Sequence, residues 1–388
     1  MIEIGSYFDS GPRLNFVNKV LDQFKQNNPT VQVKFEPVPG AQYWDKMQVR
    51  LASNTAPDIA IGSGATFLNF AEKGAWGEVD SYLQTDKEFN LDNYYKQADI
   101  FAWQGKQYGL PFMENVTLFA YNKNLFKAAG VDAPTDNWTW DDLVQNGTKL
   151  TKPGQFGLSI SDGFEFNWMT FIWSNGGEYI SKDLTKTTLD MPETQAAFQW
   201  LVDLKLKHKI SPPVGDTSLG QGDPFMTGKV AMIATATGST GNWLAGIKDF
   251  EWDYFYVPAH PKDGKRALSS NGNPYLLIKQ TKHPDQAWLL LKHLASPFTQ
   301  GLIAQMKIAM PTLISMATDP KGYLAPPPDH LNVADRHMKI SRDLQFHKTW
   351  LQWYNEITKQ MTLAFSGEKT VAEAVKIADD AGDRILRS

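Results

Sequence analysis

The feature that most restricts the fold is an alternation of strand and helix patterns at the start of the chain. Ile2 to Tyr7 has the composition of a short strand, and apolar residues from Leu14 to Phe24 recur at helical spacing. The stretch VQVKFEPV then alternates as a half-buried strand, Tyr43 to Ser53 is helical again, and PDIAIG is typical of a short buried strand. Strands that alternate with helices in this way predict a parallel α/β sheet.

A second α/β set begins near residue 115, and at 388 residues the chain is long enough to predict two domains. Thr139 and Asp142 form a capping box that opens a helix, and Thr370 and Glu373 form another before the last helix. Between these helices the apolar patterns predict three further strands, in the stretches FGLSIS, GKVAMIATAT and SSNGNPYLLIK.

Composition excludes several classes of function. A formal net charge of −4 with scattered basic residues argues against nucleic acid or an anionic membrane as the main partner. The absence of cysteine excludes disulfides and thiolate metal sites, and no apolar run is long enough to cross a bilayer. Strand-like residues follow Met1 directly without a secretory leader, so either the protein is cytosolic or a leader was removed.

Motifs that would indicate an enzyme or a cofactor are missing from the sequence. The chain has no phosphate-binding loop, dinucleotide fingerprint, HExxH or GxSxG, and we therefore predict no cofactor and no catalytic residue. His330 and His337 are the histidine pair most suggestive of a metal site, but they lack a third ligand, so we predict no metal site.

The stretch YGLPFMENVTLFAYN, from residue 108, reads as an apolar strand that Glu114 and Asn115 interrupt near its start. The chain also holds 13 Trp, 13 Tyr and 22 Phe. Many aromatic side chains with polar groups suit a cleft that grips a flat, hydroxylated ligand, although a large core would use them as well.

An ordered series of short stretches resembles one protein family over nearly the whole chain. The chain is similar to the extracellular sugar-binding proteins of bacterial ATP-driven importers, in the group that includes maltose-binding protein. The stretches that carry the resemblance are VLDQFKQNNPTVQVKFE, APDIAIG, EKGAWGEVDSYL, GLPF with YNKNLFKAAGV, WTWDDL, GKVAMI with GNW, YLLIK and AFSGEKTVAEAV.

The resemblance implies an α/β, two-lobed periplasmic-binding-protein fold with discontinuous lobes and a hinge of crossing segments. Residues 1–113 and 265–312 would form the N-lobe, and residues 114–264 and 313–388 the C-lobe. Ligand would lie in the cleft between the lobes, and Glu114 and Asn115 would lie at the first crossing and face it. Ligand hydroxyls would then satisfy these otherwise costly polar groups.

The resemblance also implies which loops carry the ligand-binding residues. Asp9 would bind a sugar hydroxyl or else cap a turn, Tyr43 and Trp44 would contact ligand or pack on a helix, and Trp243 is the best single candidate for stacking on a sugar. For the helix near the C-terminus, the choice between Trp350 and Trp353 stays open. The complete predicted set is Tyr7, Asp9, Ser10, Tyr43, Trp44, Ser63, Thr66, Glu114, Asn115, Phe166, Asn167, Trp168, Trp243, Asn271, Asn273, Trp350 and Trp353.

The function implied is that of a non-catalytic receptor, which captures a carbohydrate such as an oligosaccharide and delivers it to the permease subunits of an ABC transporter. We expect a monomer located outside the cytoplasm, free in a periplasm or held at the cell surface as a lipoprotein. One alternative is a glycoside hydrolase that uses two of the carboxylates. Another is a receptor of the same fold for a non-sugar solute. An anionic solute would need an arginine or a helix N-terminus, and neither is conspicuous in the sequence near the predicted loops.

Overall fold

The computed structural model describes residues 1–95, 101–160, 164–216, 218 and 223–388. The chain folds into two compact units, each assembled from separate segments. The first unit consists of Met1–Asn115, Gly238–Asn242 and Asn271–Leu324, and the second of Val116–Thr237, Trp243–Ser270 and Ala325–Ser388. The boundaries predicted from the sequence differ from these, because 238–242, 313–324 and 114–115 fall in the first unit and 265–270 in the second. The assignment of functional lobes stays a prediction.

The described strands are β1 Ile2–Ser6, β2 Val33–Pro37, β3 Ile59–Ile61, β4 Ala102–Trp103, β5 Lys106–Gln107, β6 Gly109–Asn122, β7 Met232–Ala236, β8 Trp252–Phe255, β9 Leu268–Leu277, β10 Met310–Pro311 and β11 Ser341–Asp343. The described α-helices are α1 Gly11–Asn27, α2 Gly40–Ala52, α3 Gly64–Glu72, α4 Asp80–Thr85, α5 Lys123–Ala129, α6 Trp140–Leu150, α7 Met169–Ser174, α8 Pro192–Leu206, α9 Thr240–Gly246, α10 Pro284–Ala295, α11 Pro297–Met306, α12 Ile314–Ala317, α13 Val333–Met338, α14 Trp350–Phe365 and α15 Val371–Leu386.

The sheet of the first unit has the strand order β10-β6-β9-β3-β1-β2. Ile4 of β1 lies opposite Phe35 of β2 and Ile59 of β3, and both pairings are parallel. The parallel α/β arrangement expected for the first five elements is therefore confirmed. The sheet as a whole is mixed, because β9 runs antiparallel to β3 and β10 runs antiparallel to β6.

The second unit contains the latter part of β6, where Phe119 lies opposite Ala234 of β7 and Phe255 of β8, both antiparallel. The stretch FGLSIS, expected to be a strand, instead makes two isolated parallel bridges, from Phe156 to Val230 and from Ser159 to Ile233. Its strand-like composition is explained by burial, since Leu158 is fully enclosed without a continuous ladder.

Helix ends follow the sequence signals. In α15 the backbone N–H of Thr370 donates to the Glu373 carboxylate at 2.9 Å, and the N–H of Glu373 donates to the Thr370 hydroxyl at 3.2 Å. In α6 the N–H of Thr139 donates to the Asp142 carboxylate at 2.8 Å. These bonds satisfy N–H groups that a helix start otherwise leaves without partners, and both predicted capping boxes are confirmed.

His337 is a structural residue of the second unit. Its Nε2 accepts from the backbone N–H of Val257 at 2.9 Å, so the proton lies on Nδ1, which donates to the carbonyl of Thr117 at 2.8 Å. Burial lowers the pKa of the ring to about 3. Both nitrogens are therefore used by the backbone. Within the described residues, no three histidines or carboxylates are grouped as a metal would require.

Among the helices described, none combines the length and the apolar character that a membrane crossing requires.

Candidate ligand-binding site

The candidate site of the first unit lies where β1 and β3 end. These strands are parallel neighbours, so their carboxyl ends open at the same edge of the sheet. The stretch 7–10 follows β1 and leads into α1, and Gly62 and Ser63 follow β3 and lead into α3. This topology brings together the loops that the sequence predicted to be functional.

Two asparagines join β6 and β9 to this edge. The side-chain amide of Asn115 donates to Asn273 Oδ1 at 3.0 Å, and the amide of Asn273 donates to the carbonyl of Gly62 at 2.9 Å. Asn273 is buried, whereas Asn115 is half-buried. The two amides hold each other in fixed orientations, which prepares the group for a ligand at little entropic cost.

Arg13, which the sequence analysis missed, lies beside these amides. Its Nη2 donates to the carbonyl of Gly238 at 3.4 Å, and its guanidinium lies 5.2 Å from the centre of the Phe8 ring. A Cβ on Gly238 would lie 2.7 Å from Asn115 Oδ1 and 2.9 Å from Arg13 Nη2. We call Arg13, Asn115, Gly238 and Asn273 the amide–guanidinium cluster. The available sequence signal was the position of Arg13 in FDSGPR, four residues after Asp9.

Glu114 and Asn115 do not share a face of the sheet. They are successive residues of β6, so their side chains point to opposite sides. A Cβ on Gly272 would lie 3.0 Å from Glu114 Oε2, whereas Asn115 is bonded to Asn273, on the other face of β9. Asn271 alternates with Gly272 and shares the face of Asn273. The expectation that Glu114 and Asn115 together face one ligand is therefore corrected.

Tyr43 belongs to the core, which corrects its proposed role as a ligand contact. The side chain is 2% exposed, and its hydroxyl donates to the carbonyl of Ile61 at 3.0 Å. Burial raises the pKa of the phenol well above its ordinary value. Its ring makes edge contacts with Tyr7 at 5.4 Å and Trp44 at 4.9 Å, and both of these rings are half-buried. Tyr43 thus supports two aromatic side chains that keep exposed surface.

Four hydroxyl and carboxylate groups complete the predicted residues of this unit. The Ser63 and Thr66 hydroxyls lie 3.1 Å apart at the start of α3. The exposed Asp9 accepts a hydrogen bond from the Ser10 hydroxyl at 3.2 Å. Ser10 and Ser63 occupy the N-cap positions of α1 and α3, yet neither side chain makes a capping hydrogen bond. Of these four residues, only Thr66 is buried.

In the second unit Trp243 is a core residue, contrary to the expectation of a stacking platform. It lies in the short helix α9 and is 0% exposed. Its ring packs 4.6 Å from Phe225, 5.2 Å from Trp252 and 6.2 Å from Tyr254, and its indole N–H donates to Asp223 at 2.5 Å. No face of this ring is exposed to a sugar.

Three more predicted tryptophans are also buried. Trp168 packs against Phe198 and Phe365, each 5.4 Å away. Trp350 and Trp353 stack 5.1 Å apart on one face of α14. Helical spacing explains this pair, since residues three apart share a face, and that face is turned to the core.

The side chains of the second unit that keep exposed surface lie next to these tryptophans in sequence. Asn167 is buried, but Phe166 is half-buried, and so are Glu165 and Tyr354, which the sequence analysis missed. Burial and the nearby Glu165 carboxylate raise the pKa of Tyr354. The signal for Tyr354 was its place directly after Trp353, on the neighbouring side of the helix.

The fold is similar throughout to that of a solved ABC substrate-binding protein from Listeria monocytogenes in complex with cycloalternan. The TM-score is 0.90 at 25% identity, and the match covers 100% of this chain and 98% of that one. An arabinooligosaccharide-binding protein of Bacillus subtilis is 25% identical over 72% of this chain and 65% of its own length. A maltotriose-binding protein of Pyrococcus abyssi is 24% identical over 79% of this chain and 66% of its own length.

Residues 10–300 match the family model of the bacterial extracellular solute-binding protein, and the chain belongs to this family. The family resemblance drawn from the sequence and the α/β fold that it implied are confirmed. The family is one of extracellular binding proteins, which places the chain outside the cytoplasm.

Proposed function

We propose that the protein is a non-catalytic receptor, which captures an oligosaccharide and delivers it to the membrane permease of an ABC importer. The observation that carries the proposal is the amide–guanidinium cluster at the carboxyl edge of β1 and β3, in a chain of this family. The similarity to an arabinooligosaccharide-binding protein, a maltotriose-binding protein and a cycloalternan complex supports carbohydrate as the ligand class.

The chemistry of the cluster suits sugar hydroxyls. A hydroxyl both donates and accepts, so it can pair with an amide oxygen and with an arginine N–H at the same time. The half-buried rings of Tyr7 and Trp44 offer apolar surface for the faces of a pyranose, and Tyr43 fixes their positions from below. We therefore assign Tyr7, Trp44, Asn115 and Asn273 to ligand binding.

The arrangement of acids disfavours the alternative of a glycoside hydrolase. Such an enzyme needs two carboxyl groups that flank one glycosidic bond. In the first unit, Glu114 lies on the face of β6 opposite to Asn115, and Asp9 is an exposed loop residue. We therefore propose that the protein binds its ligand and does not catalyse a reaction on it.

A titration tests the proposal directly. Maltooligosaccharides, arabinooligosaccharides and acidic oligosaccharides are titrated into the protein by calorimetry, with chromatography of the sugar after incubation. We expect a saturable heat for at least one series and no shortened product. Asn115→Leu should weaken that binding by roughly 10- to 100-fold, because it removes an amide and leaves Asn273 without its donor.

The matched control is Asn332→Leu, which makes the same change at an exposed position of the second unit. It should leave the affinity unaltered. If none of the sugars binds, or if one of them is hydrolysed, the proposal is contradicted.

We further propose that the receptor acts as a monomer, either free in a periplasm or attached to the cell surface by a lipid. Light scattering of the purified protein and fractionation of the producing cells would test these two points. A stable dimer, or recovery of the protein from the cytosol, would contradict them.

A further inference from the structure

The guanidinium of Arg13 is a cationic group whose contacts in the described structure are with uncharged groups. These contacts are the carbonyl of Gly238 at 3.4 Å and the ring of Phe8 at 5.2 Å. Within the described residues, Arg13 makes no ion pair with a carboxylate, unlike Arg50 of the same unit, which lies 2.6 Å from Glu3. Its Nε is buried and has no hydrogen-bond partner there. A positive charge without a carboxylate partner in the described residues is thus left to a ligand.

The surroundings of Arg13 strengthen this preference for negative charge. Arg13 is the third residue of α1, a helix of 17 residues whose first turn contains no acidic residue. The N-cap residue Ser10 makes no side-chain capping bond, so the partial positive charge of the helix start adds to that of the guanidinium. Asp9, the acid of the preceding loop, is exposed and bonded to the Ser10 hydroxyl.

Arginine also has the geometry for a carboxylate. Its planar fork presents parallel N–H donors that match two carboxylate oxygens, so a carboxylate forms two charge-assisted bonds at once, whereas a neutral hydroxyl offers the fork a single oxygen. Because Arg13 is half-buried, the interaction would be screened less than one at a fully exposed surface. The neighbouring amides Asn115 and Asn273 would still bind the hydroxyls of the same sugar.

We propose that the ligand is an acidic oligosaccharide, whose uronic carboxylate pairs with the guanidinium of Arg13. The proposal rests on the proposed function and narrows its ligand from carbohydrate to uronate-containing carbohydrate. Arg13 is then a residue that determines specificity.

The test compares each acid with its own neutral derivative. Oligosaccharides of galacturonate, glucuronate and mannuronate, each also as its methyl ester, are titrated by calorimetry beside neutral maltooligosaccharides and arabinooligosaccharides. We expect one acidic series to bind, with its ester at least about tenfold weaker. The affinity for the acid should fall as salt is raised, whereas the affinity for the ester should change little.

Three variants separate the role of Arg13 from general damage. Arg13→Gln should reduce the ratio of acid to ester affinity to about one. Arg13→Lys should restore part of this ratio, because it keeps the charge and loses the fork. Arg50→Gln removes the ion-paired arginine of the same unit and should leave the ratio unchanged.

The outcomes distinguish the acidic ligand proposed here from the more general carbohydrate receptor. If a neutral sugar or an ester binds as tightly as every acid, the proposal is wrong but the receptor function stands. The same conclusion follows if Arg13→Gln does not alter the ratio of acid to ester affinity. If neither the acidic nor the neutral sugars bind, both the proposal and the carbohydrate receptor are wrong. The acid-to-ester ratio of the unaltered protein tests the idea even if Arg13→Gln does not fold.

Discussion

Trp243 offers the sharpest test of the structure, because its two possible roles lead to opposite results. A ring on the surface of a binding site would contribute to affinity and little to stability. The structure instead encloses Trp243 fully among Phe225, Trp252 and Tyr254, with its N–H bonded to Asp223. We therefore expect Trp243→Ala to destabilise the second unit and to leave the affinity for sugar unaltered.

The magnitude follows from the contacts of the ring. Replacing a buried Trp by Ala costs about 3–5 kcal/mol in free energy of unfolding. Trp243→Phe keeps most of the packing but removes the N–H, so it should cost roughly 1.5–3 kcal/mol because Asp223 Oδ2 loses its donor. For a unit of this size each kcal/mol lowers Tm by roughly 2–4 °C, so the alanine variant should melt roughly 6–20 °C lower.

The assay combines urea unfolding, calorimetric melting and sugar titration for two Trp→Ala variants. Trp44→Ala is the counterpart in the first unit, where the ring is half-buried and proposed to contact ligand. It should weaken binding more than it lowers stability. If the free energy of unfolding of Trp243→Ala is within about 1 kcal/mol of that of the unaltered protein but the variant loses its sugar affinity, the placement of this ring in the core is wrong.

Further predictions follow from single contacts. Burial lowers the pKa of His337 from 6.5 to about 3, so the unfolded chain binds a proton in this window and the folded state does not. The contribution of the neutral ring to the free energy of unfolding is complete above pH 6.5 and is lost as the pH falls towards 3. The urea midpoint should therefore fall over this pH range, and His337→Gln should reduce this fall. Gly238→Ala should weaken sugar binding several-fold in titrations, because its Cβ displaces Asn115 Oδ1 and Arg13 Nη2, and should lower Tm only slightly because no backbone atom has to move; an unchanged affinity would contradict this. Thr370→Ala should lower the free energy of unfolding by about 1 kcal/mol, measured in urea, with Thr370→Ser as the control that keeps the cap.

Local patterns were sufficient to predict most of the helices and strands that frame the site. The apolar spacing from Leu14 to Phe24 corresponds to the buried face of α1, and the capping residues Thr139 and Thr370 precede α6 and α15 directly. These signals involve residues within one or two turns of each other, so they do not depend on contacts that are distant in sequence. The strand predicted for FGLSIS is reduced to isolated bridges with Val230 and Ile233, because a continuous ladder depends on the register with a distant partner, and the sequence does not specify that register.

The aromatic candidates failed for a different reason. Trp243 follows a Gly-rich stretch, as a residue at an open corner would, but the rings that enclose it come from segments on both sides of it in sequence. The same holds for Tyr43 of α2, whose hydroxyl reaches the carbonyl of Ile61 at the end of β3. Burial of an aromatic side chain is set by such distant contacts, and the sequence around the residue contains no record of them.

The pair Glu114 and Asn115 shows where sequence reasoning could have gone further. A strand turns successive side chains to opposite faces, so the apolar pattern of β6 already implied that only one of the two lies on a given side. The neighbouring stretch Asn271-Gly272-Asn273 alternates in the same way, with the glycine on one face and the amides on the other. An acid is accommodated opposite a residue without a side chain, and an amide pairs best with another amide. This matching of the two strands places Glu114 on the face of Gly272, and Asn115 on the face of Asn271 and Asn273, as the structure has them. Once β6 and β9 are known to be neighbours, alternation limits the partner of Asn115 to Asn271 or Asn273, and the structure shows that it is Asn273.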